Sequence, residues 1–204
     1  MSIEVSKYLT CADPVLGQFI KKFEPVTLAP NNRITLFGAL VKSVIGQQLS
    51  GKAAHSILTK LKDKVGGKKS ISPEKILSTP YGKIRSAGVS ESKARTIIAL
   101  AEMTKNGAIP SSRKMRSMSD QEIIQTLTVV KGIGQWTVEM ILMFKLGRQD
   151  VMPATDLGVR KGYSIIFKSK EIAAPKTILE HSQKWSPYRS FAAKYFWAAA
   201  DEKL

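Results

Sequence analysis

Two glycines that flank one apolar residue, Gly132-Ile133-Gly134, lie between two helix-like runs of the sequence. Glycine leaves the backbone N–H groups of such a turn open to a bulky anion, because no side chain stands in the way. The N–H groups and the positive dipole end of the following helix attract phosphate. The segment therefore predicts a clamp for a phosphodiester backbone, to which Lys131 adds charge. Taken alone, Gly-Ile-Gly is also compatible with an ordinary turn between two helices.

A single carboxylate, Asp156, follows the hairpin segment in the sequence. Pro153 ends the preceding segment, and a new helix is expected to start at Asp156 or Leu157. A helix N-terminus keeps a carboxylate ionised, which suits Asp156 to stabilise a cation or to orient water. The alternative is that Asp156 is only an N-cap, a common position for aspartate.

The composition favours a polyanionic partner. The 204 residues include 32 Lys and Arg against 16 Asp and Glu, a formal net charge of +16. An excess of this size over a globular chain favours nucleic acid as the partner over a merely soluble surface. Cys11 is the only cysteine, which excludes an intrachain disulfide and a cysteine-based zinc or iron–sulfur cluster.

The sequence also predicts the compartment in which the protein acts and the absence of a membrane partner, a cofactor and a metal held by side chains. The N-terminus lacks the apolar core of a signal peptide, and no run approaches the roughly 18 apolar residues of a membrane span. We therefore expect an intracellular protein with no membrane partner, in the cytoplasm of a bacterium or the nucleus of a eukaryote. His55 and His181 lack partners at metal-ligand spacing, so we expect no cofactor and no metal held by side chains.

The apolar residues repeat at helical spacing along the chain. One such run comprises Phe37, Leu40, Val41, Val44 and Ile45. No segment sustains the two-residue alternation of a half-buried strand, so the sequence predicts an all-α fold. Serines mark several helix starts: Ser72 and Ser90 are candidate N-caps, and Ser119 is expected to form a capping box with Glu122.

The hairpin itself has a predictable apolar side. Leu127 and Val130 are expected to close the first helix against the core, and the second helix is expected to begin near Gln135. Helical spacing then turns one set of side chains of the second helix inward, namely Thr137, Met140, Ile141 and Phe144.

Together these motifs resemble the DNA glycosylases of the helix-hairpin-helix-Gly/Pro-Asp (HhH-GPD) superfamily, and most closely the 3-methyladenine DNA glycosylase II, or AlkA, type. Four segments carry the resemblance in the family's order: residues 43–50 with Ala53-Ala54, residues 84–90 with Lys93-Ala94, the hairpin with Trp136-Thr137, and Pro153 to Asp156. Each segment alone is weak evidence for the family, but the four together are specific. They span most of residues 35–200.

The resemblance implies roles for the residues singled out above. Asp156 takes the position of the catalytic aspartate. The DNA-binding hairpin would consist of Lys131, Gly132, Ile133, Gly134 and Thr137. The hairpin carbonyl groups would hold a structural alkali cation, although nothing in the side chains shows it.

The family fold implies two helical lobes with a cleft between them, in one unit over residues 1–204. The first lobe is expected over about residues 34–148, and the second over about residues 1–33 plus 149–204. AlkA-type enzymes carry an additional N-terminal β-rich domain. Only about thirty residues precede the first family segment here, so we expect a compact version without that domain, acting as a monomer.

The residue at position 136 separates two reaction types within the superfamily. Bifunctional relatives carry a lysine immediately before the hairpin threonine, and that lysine forms a Schiff base with the sugar. Here the position holds Trp136, and Lys131 lies on the other side of the turn. The resemblance therefore implies a monofunctional enzyme of base excision repair, which flips out and hydrolytically excises alkylated bases such as 3-methyladenine and 7-methylguanine from double-stranded DNA.

A pocket for such a base is expected to be aromatic, because a cationic base gains about 0.5–2 kcal/mol from stacking on electron-rich rings. Trp136 matches a pocket tryptophan of the AlkA type. Trp185 resembles another, with core packing as the alternative. Met140 stands where AlkA-type relatives often have tyrosine, which leaves the preference among methylated bases open.

The extruded base leaves a gap that a side chain must fill. Gln48 and Leu49 lie on a turn between two apolar helices, where the family places its minor-groove wedge. We expect one of them to be the wedge and favour Gln48 over Leu49. The alternative is that this segment is simply a polar loop.

Two other functions stay open at this point. The chain is also compatible with a non-catalytic helix-hairpin-helix DNA-binding module that has lost its chemistry, against which Asp156 and Trp136 count. The second alternative is a glycosylase for an oxidised or deaminated base.

Overall fold

The computed structural model describes residues 2–67 and 70–201, so Met1 and residues 202–204 of the predicted second lobe lie outside the described residues. Over the described ranges the chain is helical and forms no strand, which confirms the predicted all-α fold. None of the helices in these ranges is long and apolar enough to cross a lipid bilayer.

The chain divides into two compact units. The terminal unit is Met1–Pro30 with Gly147–Leu204, and the hairpin unit is Asn31–Leu146. The α-helices in chain order are α1 (Ser2–Ala12), α2 (Pro14–Ile20), α3 (Leu36–Gly46), α4 (Gly51–Lys64), α5 (Pro73–Leu77), α6 (Tyr81–Arg85), α7 (Glu91–Lys105), α8 (Ser112–Ser117), α9 (Asp120–Thr128), α10 (Gln135–Met140), α11 (Leu157–Ile166), α12 (Pro175–His181) and α13 (Arg189–Asp201). A π-helix spans Ile141–Leu146, and a 3₁₀-helix spans Ser182–Trp185.

Serine side chains cap helices of the hairpin unit at the predicted positions. Ser72, Ser90 and Ser119 accept hydrogen bonds from backbone N–H groups three residues further on, at the starts of α5, α7 and α9. The Glu122 carboxylate accepts in turn from the Ser119 N–H at 2.6 Å, so the predicted capping box is confirmed. Each such cap stabilises its helix by about 1 kcal/mol.

Helix α3 is the centre of the hairpin unit, where it packs against α4, α7, α10 and the π-helix. Its predicted apolar run is buried, namely Phe37, Leu40, Val41, Val44 and Ile45. Burial of each side chain of this kind contributes about 1.5–3 kcal/mol. The helices around α3 are therefore held on one apolar core, and the turns at their ends are placed by it.

The helix that follows the hairpin changes its geometry halfway. It is an α-helix up to Met140 and a π-helix over Ile141–Leu146. The wider π turn changes the angular position of the side chains that follow it. Phe144, which helical spacing predicted to face inward, is 42% exposed, so that prediction is wrong, and Lys145 is buried in its place.

In the terminal unit, α11 and α13 cross at very short range. A Cβ atom at Gly162 of α11 would lie 1.7 Å from the carbonyl oxygen of Phe196 in α13, so only glycine fits there. The close approach of the two backbones also brings Trp197, the next residue of α13, to the N-terminus of α11.

A buried polar network around Asp13 joins several elements of the terminal unit. Asp13 is 2% exposed and accepts hydrogen bonds from two backbone N–H groups at the start of α2. Its Oδ2 atom accepts from Trp185 Nε1 at 3.2 Å and lies 3.1 Å from His181 Nε2. Burial lowers the pKa of His181, and its Nδ1 atom lies 2.7 Å from the Tyr163 hydroxyl oxygen.

Replacing this carboxylate should destabilise the protein. We expect Asp13→Ala to lower the free energy of unfolding by about 2–4 kcal/mol, because a helix cap is lost and the buried Trp185 N–H loses its acceptor. Urea denaturation followed by circular dichroism measures the change. The control is Asp63→Ala on the exposed side of α4, which should change it by less than about 0.5 kcal/mol. Equal losses in both variants would contradict the role given to Asp13.

Candidate functional site

The predicted hairpin consists of α9, a short turn and the continuous helical segment 135–146. Ile133 is buried and anchors the turn in the core. Lys131 and both glycines are exposed. Gly134 is the N-cap residue of α10 and offers no side-chain cap to the first N–H groups of that helix. This end of the segment therefore presents backbone donors and a positive dipole end where an anion has room to approach.

The two glycines of the turn differ in whether the fold requires them. Gly132 has a φ of +93°, and a Cβ atom there would lie 2.1 Å from Oγ1 of Thr96. Gly134 has an ordinary φ of −94°, and a Cβ atom there would meet nothing within 4 Å. The fold therefore demands glycine at 132, while the space above Gly134 is open for a molecule that approaches from outside.

Two threonines support the turn from within the hairpin unit. Thr96 Oγ1 of α7 donates to the Lys131 carbonyl oxygen at 3.0 Å. Thr137 is 1% exposed, and its Oγ1 accepts from Gln47 Nε2 at 2.9 Å. The side chains of Thr137 and Ile133 were assigned to the DNA-contacting hairpin, but both point into the protein, so they support its shape and leave contact to the backbone and Lys131.

The hairpin carbonyl groups are the candidate ligands of the alkali cation that the family resemblance implies. The carbonyl oxygens of Val130, Lys131 and Gly132 each accept a hydrogen bond within the protein. Each has a second lone pair, so a cation fits only through those second lone pairs. In the part of the chain that the structure describes, no cluster of His, Cys, Asp and Glu side chains is arranged to hold a metal ion.

The turn between α3 and α4 carries the predicted wedge. Gln48 is exposed and has a φ of +57°, a left-handed conformation that costs a non-glycine residue about 1 kcal/mol or more. Leu49 is 40% exposed, but it also lines a small cavity of about 110 Å³ together with Ile45 and Ile57. Leu49 thus lines a cavity of its own unit, whereas Gln48 is exposed and has a strained backbone conformation.

Sequence reasoning missed Gln47, the residue before the predicted wedge. Gln47 Nε2 donates to the Gly132 carbonyl oxygen at 3.0 Å as well as to Thr137 Oγ1. Lys93 Nζ donates to the carbonyl oxygens of Ile45 and Gln47 at 2.9 and 2.7 Å, and burial lowers the pKa of Lys93. Both residues lie in the segments that resemble the family, but nothing in their spacing indicated these partners.

A cavity of about 350 Å³ lies beside the hairpin helix, within the hairpin unit. Its apolar wall includes Trp136, Met140 and Phe144. The structure therefore brings together Trp136 and Met140, which the sequence assigned to a base pocket, and adds Phe144, which the sequence placed in the core. Contact between these side chains and a base stays a prediction.

Polar groups line the same cavity. The Ser43 Oγ atom is buried and has no hydrogen-bond partner among the described residues. Lys145 Nζ donates to the carbonyl oxygens of Asn31 and Ile34 at 2.6 and 2.7 Å. Burial, with a smaller effect from the charge of Arg116, lowers the pKa of Lys145. Ser43 thus contributes a hydroxyl with unused hydrogen-bonding capacity to the wall, and the sequence analysis gave this residue no role of its own.

Trp185 does not lie on this cavity. It is fully buried in the terminal unit, where its ring is stacked on Phe167 and its Nε1 donates to Asp13. The assignment of Trp185 to the substrate pocket is corrected here to the core-packing alternative. The physical reason is the buried Asp13 carboxylate, which gives the indole N–H a partner inside the protein.

Asp156 is the N-cap residue of α11 and is half-buried. Its Oδ1 atom accepts from the Val159 N–H at 2.9 Å and from Trp197 Nε1 at 2.8 Å. The capping interpretation therefore describes its local structure, and the indole bond fixes the carboxylate in one orientation. A capped, oriented and partly exposed carboxylate is compatible with a chemical role as well.

Comparison with known proteins identifies the family. The family model described as "HhH-GPD superfamily base excision DNA repair protein" matches residues 41–187. DNA-3-methyladenine glycosylase 1 of Schizosaccharomyces pombe is 39% identical over 158 residues, which cover 78% of this chain and 69% of that protein.

Two further similarities cover nearly all of the chain. The alkylbase DNA glycosidase-like protein mag2 of the same yeast is 29% identical over 192 residues, 94% of this chain and 90% of that protein. The solved structure of S. pombe 3-methyladenine DNA glycosylase Mag1 in complex with abasic DNA superimposes with a TM-score of 0.88 at 34% identity, over 95% of each chain.

The two hairpin glycines should respond differently to alanine. Gly132→Ala is expected to lower the free energy of unfolding by at least about 2 kcal/mol, because a positive φ and a clash with Thr96 act together. Gly134→Ala should change it by less than about 0.5 kcal/mol. Thermal denaturation of the two variants side by side is the measurement, and similar destabilisation by both would show that the turn is not built as described.

Proposed function

The chain belongs to the HhH-GPD superfamily of base excision DNA repair proteins, and from this premise we propose that it is a monofunctional DNA glycosylase for alkylated bases. It hydrolyses the bond between an alkylated purine and its deoxyribose and leaves an abasic site. The observation that carries the proposal is the cavity with Trp136 in its wall. An aromatic side chain there suits an electron-poor base, and it replaces the lysine that strand-cleaving relatives use.

DNA is bound first, through its backbone. The start of α10 presents N–H groups and a positive dipole end, with Lys131 beside them and open space above Gly134. Such contacts hold a phosphate without reading sequence. The net charge of +16 adds long-range attraction for the duplex. In this proposal the partner is double-stranded DNA, met in the bacterial cytoplasm or the eukaryotic nucleus, and the protein acts as a monomer.

The wedge keeps the extruded base out of the stack. Gln48 is the better candidate of the two wedge residues, since it is exposed, while Leu49 also lines a small cavity of the hairpin unit. Extrusion costs a few kcal/mol, and less for a damaged base. A long amide that fills the gap offsets part of this cost and stabilises the kinked duplex.

The cavity then receives the base. A purine alkylated at N3 or N7 is positively charged, and stacking on Trp136 contributes about 0.5–2 kcal/mol. The buried hydroxyl of Ser43 supplies a hydrogen bond to the edge of the base, which a merely apolar cavity would lack. Met140, in place of the tyrosine of many AlkA-type relatives, widens the choice of base shapes because its side chain is flexible.

Asp156 is the catalytic carboxylate of the proposal. When the bond from C1′ to the base nitrogen breaks, the electron pair leaves with the base and positive charge develops on the sugar. A carboxylate stabilises that charge and orients the water that adds to C1′, accepting a proton from it, a role worth about 10²–10⁴ in rate. The hydrogen bonds from Val159 and Trp197 hold the carboxylate in one orientation for this task.

No cofactor enters the reaction. An alkali cation at the hairpin, if bound, would be held by the backbone carbonyls of residues 130–132 and would neutralise charge between the turn and a phosphate. No chemical step depends on it.

A panel of duplexes tests this function, each with one alkylated, oxidised or deaminated base. We expect release of 7-methylguanine and 3-methyladenine, with strand breaks appearing only after heat or alkali. Release of an oxidised or deaminated base alone would instead identify a different glycosylase. Binding without release from any duplex would identify a non-catalytic module, and breaks without heat or alkali would contradict the monofunctional assignment.

Asp156→Asn should separate chemistry from folding. The amide oxygen of Asn still accepts from Val159 and Trp197, so the thermal midpoint and the affinity for an abasic-site duplex should stay close to those of the unmodified protein. Base release should fall at least about 100-fold, since the charge on the sugar loses its partner. Asp63→Asn on the exposed side of α4 is the matched control and should keep full activity. Near-normal release by Asp156→Asn would remove Asp156 from the reaction.

A further inference from the structure

One side chain, that of Gln47, connects the wedge turn to the hairpin. The two segments are far apart in sequence, yet Gln47 Nε2 donates to the Gly132 carbonyl oxygen at 3.0 Å and to Thr137 Oγ1 at 2.9 Å. An amide nitrogen has two hydrogens, so each acceptor takes one. Both bonds end on the hairpin, one on its turn and one on its second helix.

The backbone of Gln47 is held as firmly as its side chain. It is the C-cap residue of α3, and its carbonyl oxygen accepts from Lys93 Nζ at 2.7 Å. A lysine at the C-terminal end of a helix also interacts favourably with the helix dipole. Gln47 is thus fixed on one side by α7 and on the other by the hairpin.

The next residue is the wedge, Gln48, and it is in a left-handed conformation with a φ of +57°. A strained backbone of this kind persists only where the surroundings over-determine it. The bonds of Gln47 supply that constraint immediately before Gln48. They set the direction of the wedge relative to the turn that grips phosphate.

We propose that Gln47 is a positioning residue that fixes the wedge relative to the hairpin, so that phosphate binding and entry of the wedge into the duplex occur as one event. The inference rests on the proposed function, since it takes Gln48 as the wedge. Undamaged duplex needs phosphate contacts alone, whereas an abasic site also accepts the wedge. Loss of Gln47 therefore weakens binding to abasic DNA and leaves binding to undamaged DNA nearly as it was.

Gln47→Met tests this, because methionine keeps the length of the side chain and removes its hydrogen bonds. The preference for an abasic-site duplex over an undamaged one, measured as the ratio of dissociation constants, should fall about tenfold, as expected when about one hydrogen bond of positioning is lost. Gln121→Met, on an exposed position of α9, is the matched control and should keep the preference. A drop in affinity for both duplexes by the same factor would indicate a merely structural role and overturn the proposal.

A double-mutant cycle with Gln48→Ala gives the second readout. If Gln47 acts through Gln48, Gln47→Met should lower the preference little further once Gln48 is alanine. If Gln47→Met lowers the preference by the same factor whether residue 48 is glutamine or alanine, the proposal is overturned. Thr137→Ser, which keeps the hydroxyl, should retain the preference, whereas Thr137→Val should lose part of it; this pair gives the answer if Gln47→Met does not fold.

The assay also separates this inference from the proposed function. An unmodified protein with no preference for abasic DNA would remove the wedge, and the positioning role with it. A preference that survives Gln47→Met would remove only the positioning role. Base release is not needed for either result.

Discussion

The contact between α7 and the hairpin turn is the constraint on which the rest of the hairpin unit depends. Thr96 is buried against the turn: its Oγ1 atom lies 3.0 Å from the Lys131 carbonyl oxygen, and a Cβ atom at Gly132 would lie 2.1 Å from the same Oγ1 atom. The backbone of the turn is thereby fixed before any ligand arrives. The start of α10, the direction of Trp136 and the acceptor that Gln47 uses all follow from the place of this turn. A preorganised turn of this kind binds without the entropic cost of ordering a loop.

In the terminal unit, close packing of two helices orients the carboxylate of Asp156. Close packing of α11 on α13 requires a missing side chain at Gly162, and the result is that Trp197 reaches Asp156. The close packing thus places the indole N–H of Trp197, and this N–H orients the carboxylate of Asp156. In the same unit the Asp13 carboxylate joins α2, His181 and Trp185 through buried hydrogen bonds. Apolar burial supplies most of the stability, and these polar contacts select one arrangement of it.

Local signals in the sequence were sufficient for the helices and for their serine caps, because a cap involves residues only three apart. They were also sufficient to locate the hairpin turn, but not to show that the Ile133 side chain is buried and supports the turn from within the protein. They failed where a distant residue decides the outcome. Trp185 is buried because Asp13, far away in the sequence, accepts its N–H. Gln47 was overlooked because its partners lie on the hairpin, about ninety residues further along the chain.

The π-helix has a further consequence for how the hairpin helix is organised. Its backbone hydrogen bonds join residues five apart, where those of an α-helix join residues four apart, so the segment holds more residues per turn. The side chains therefore follow one angular phase around the helix axis before Ile141 and another after it. Trp136 belongs to the first phase and Phe144 to the second, yet both face one cavity. Deleting one residue from this segment would restore a single phase and rotate everything beyond it by about 100°. The aromatic wall therefore depends on the length of this helix as well as on its residue types.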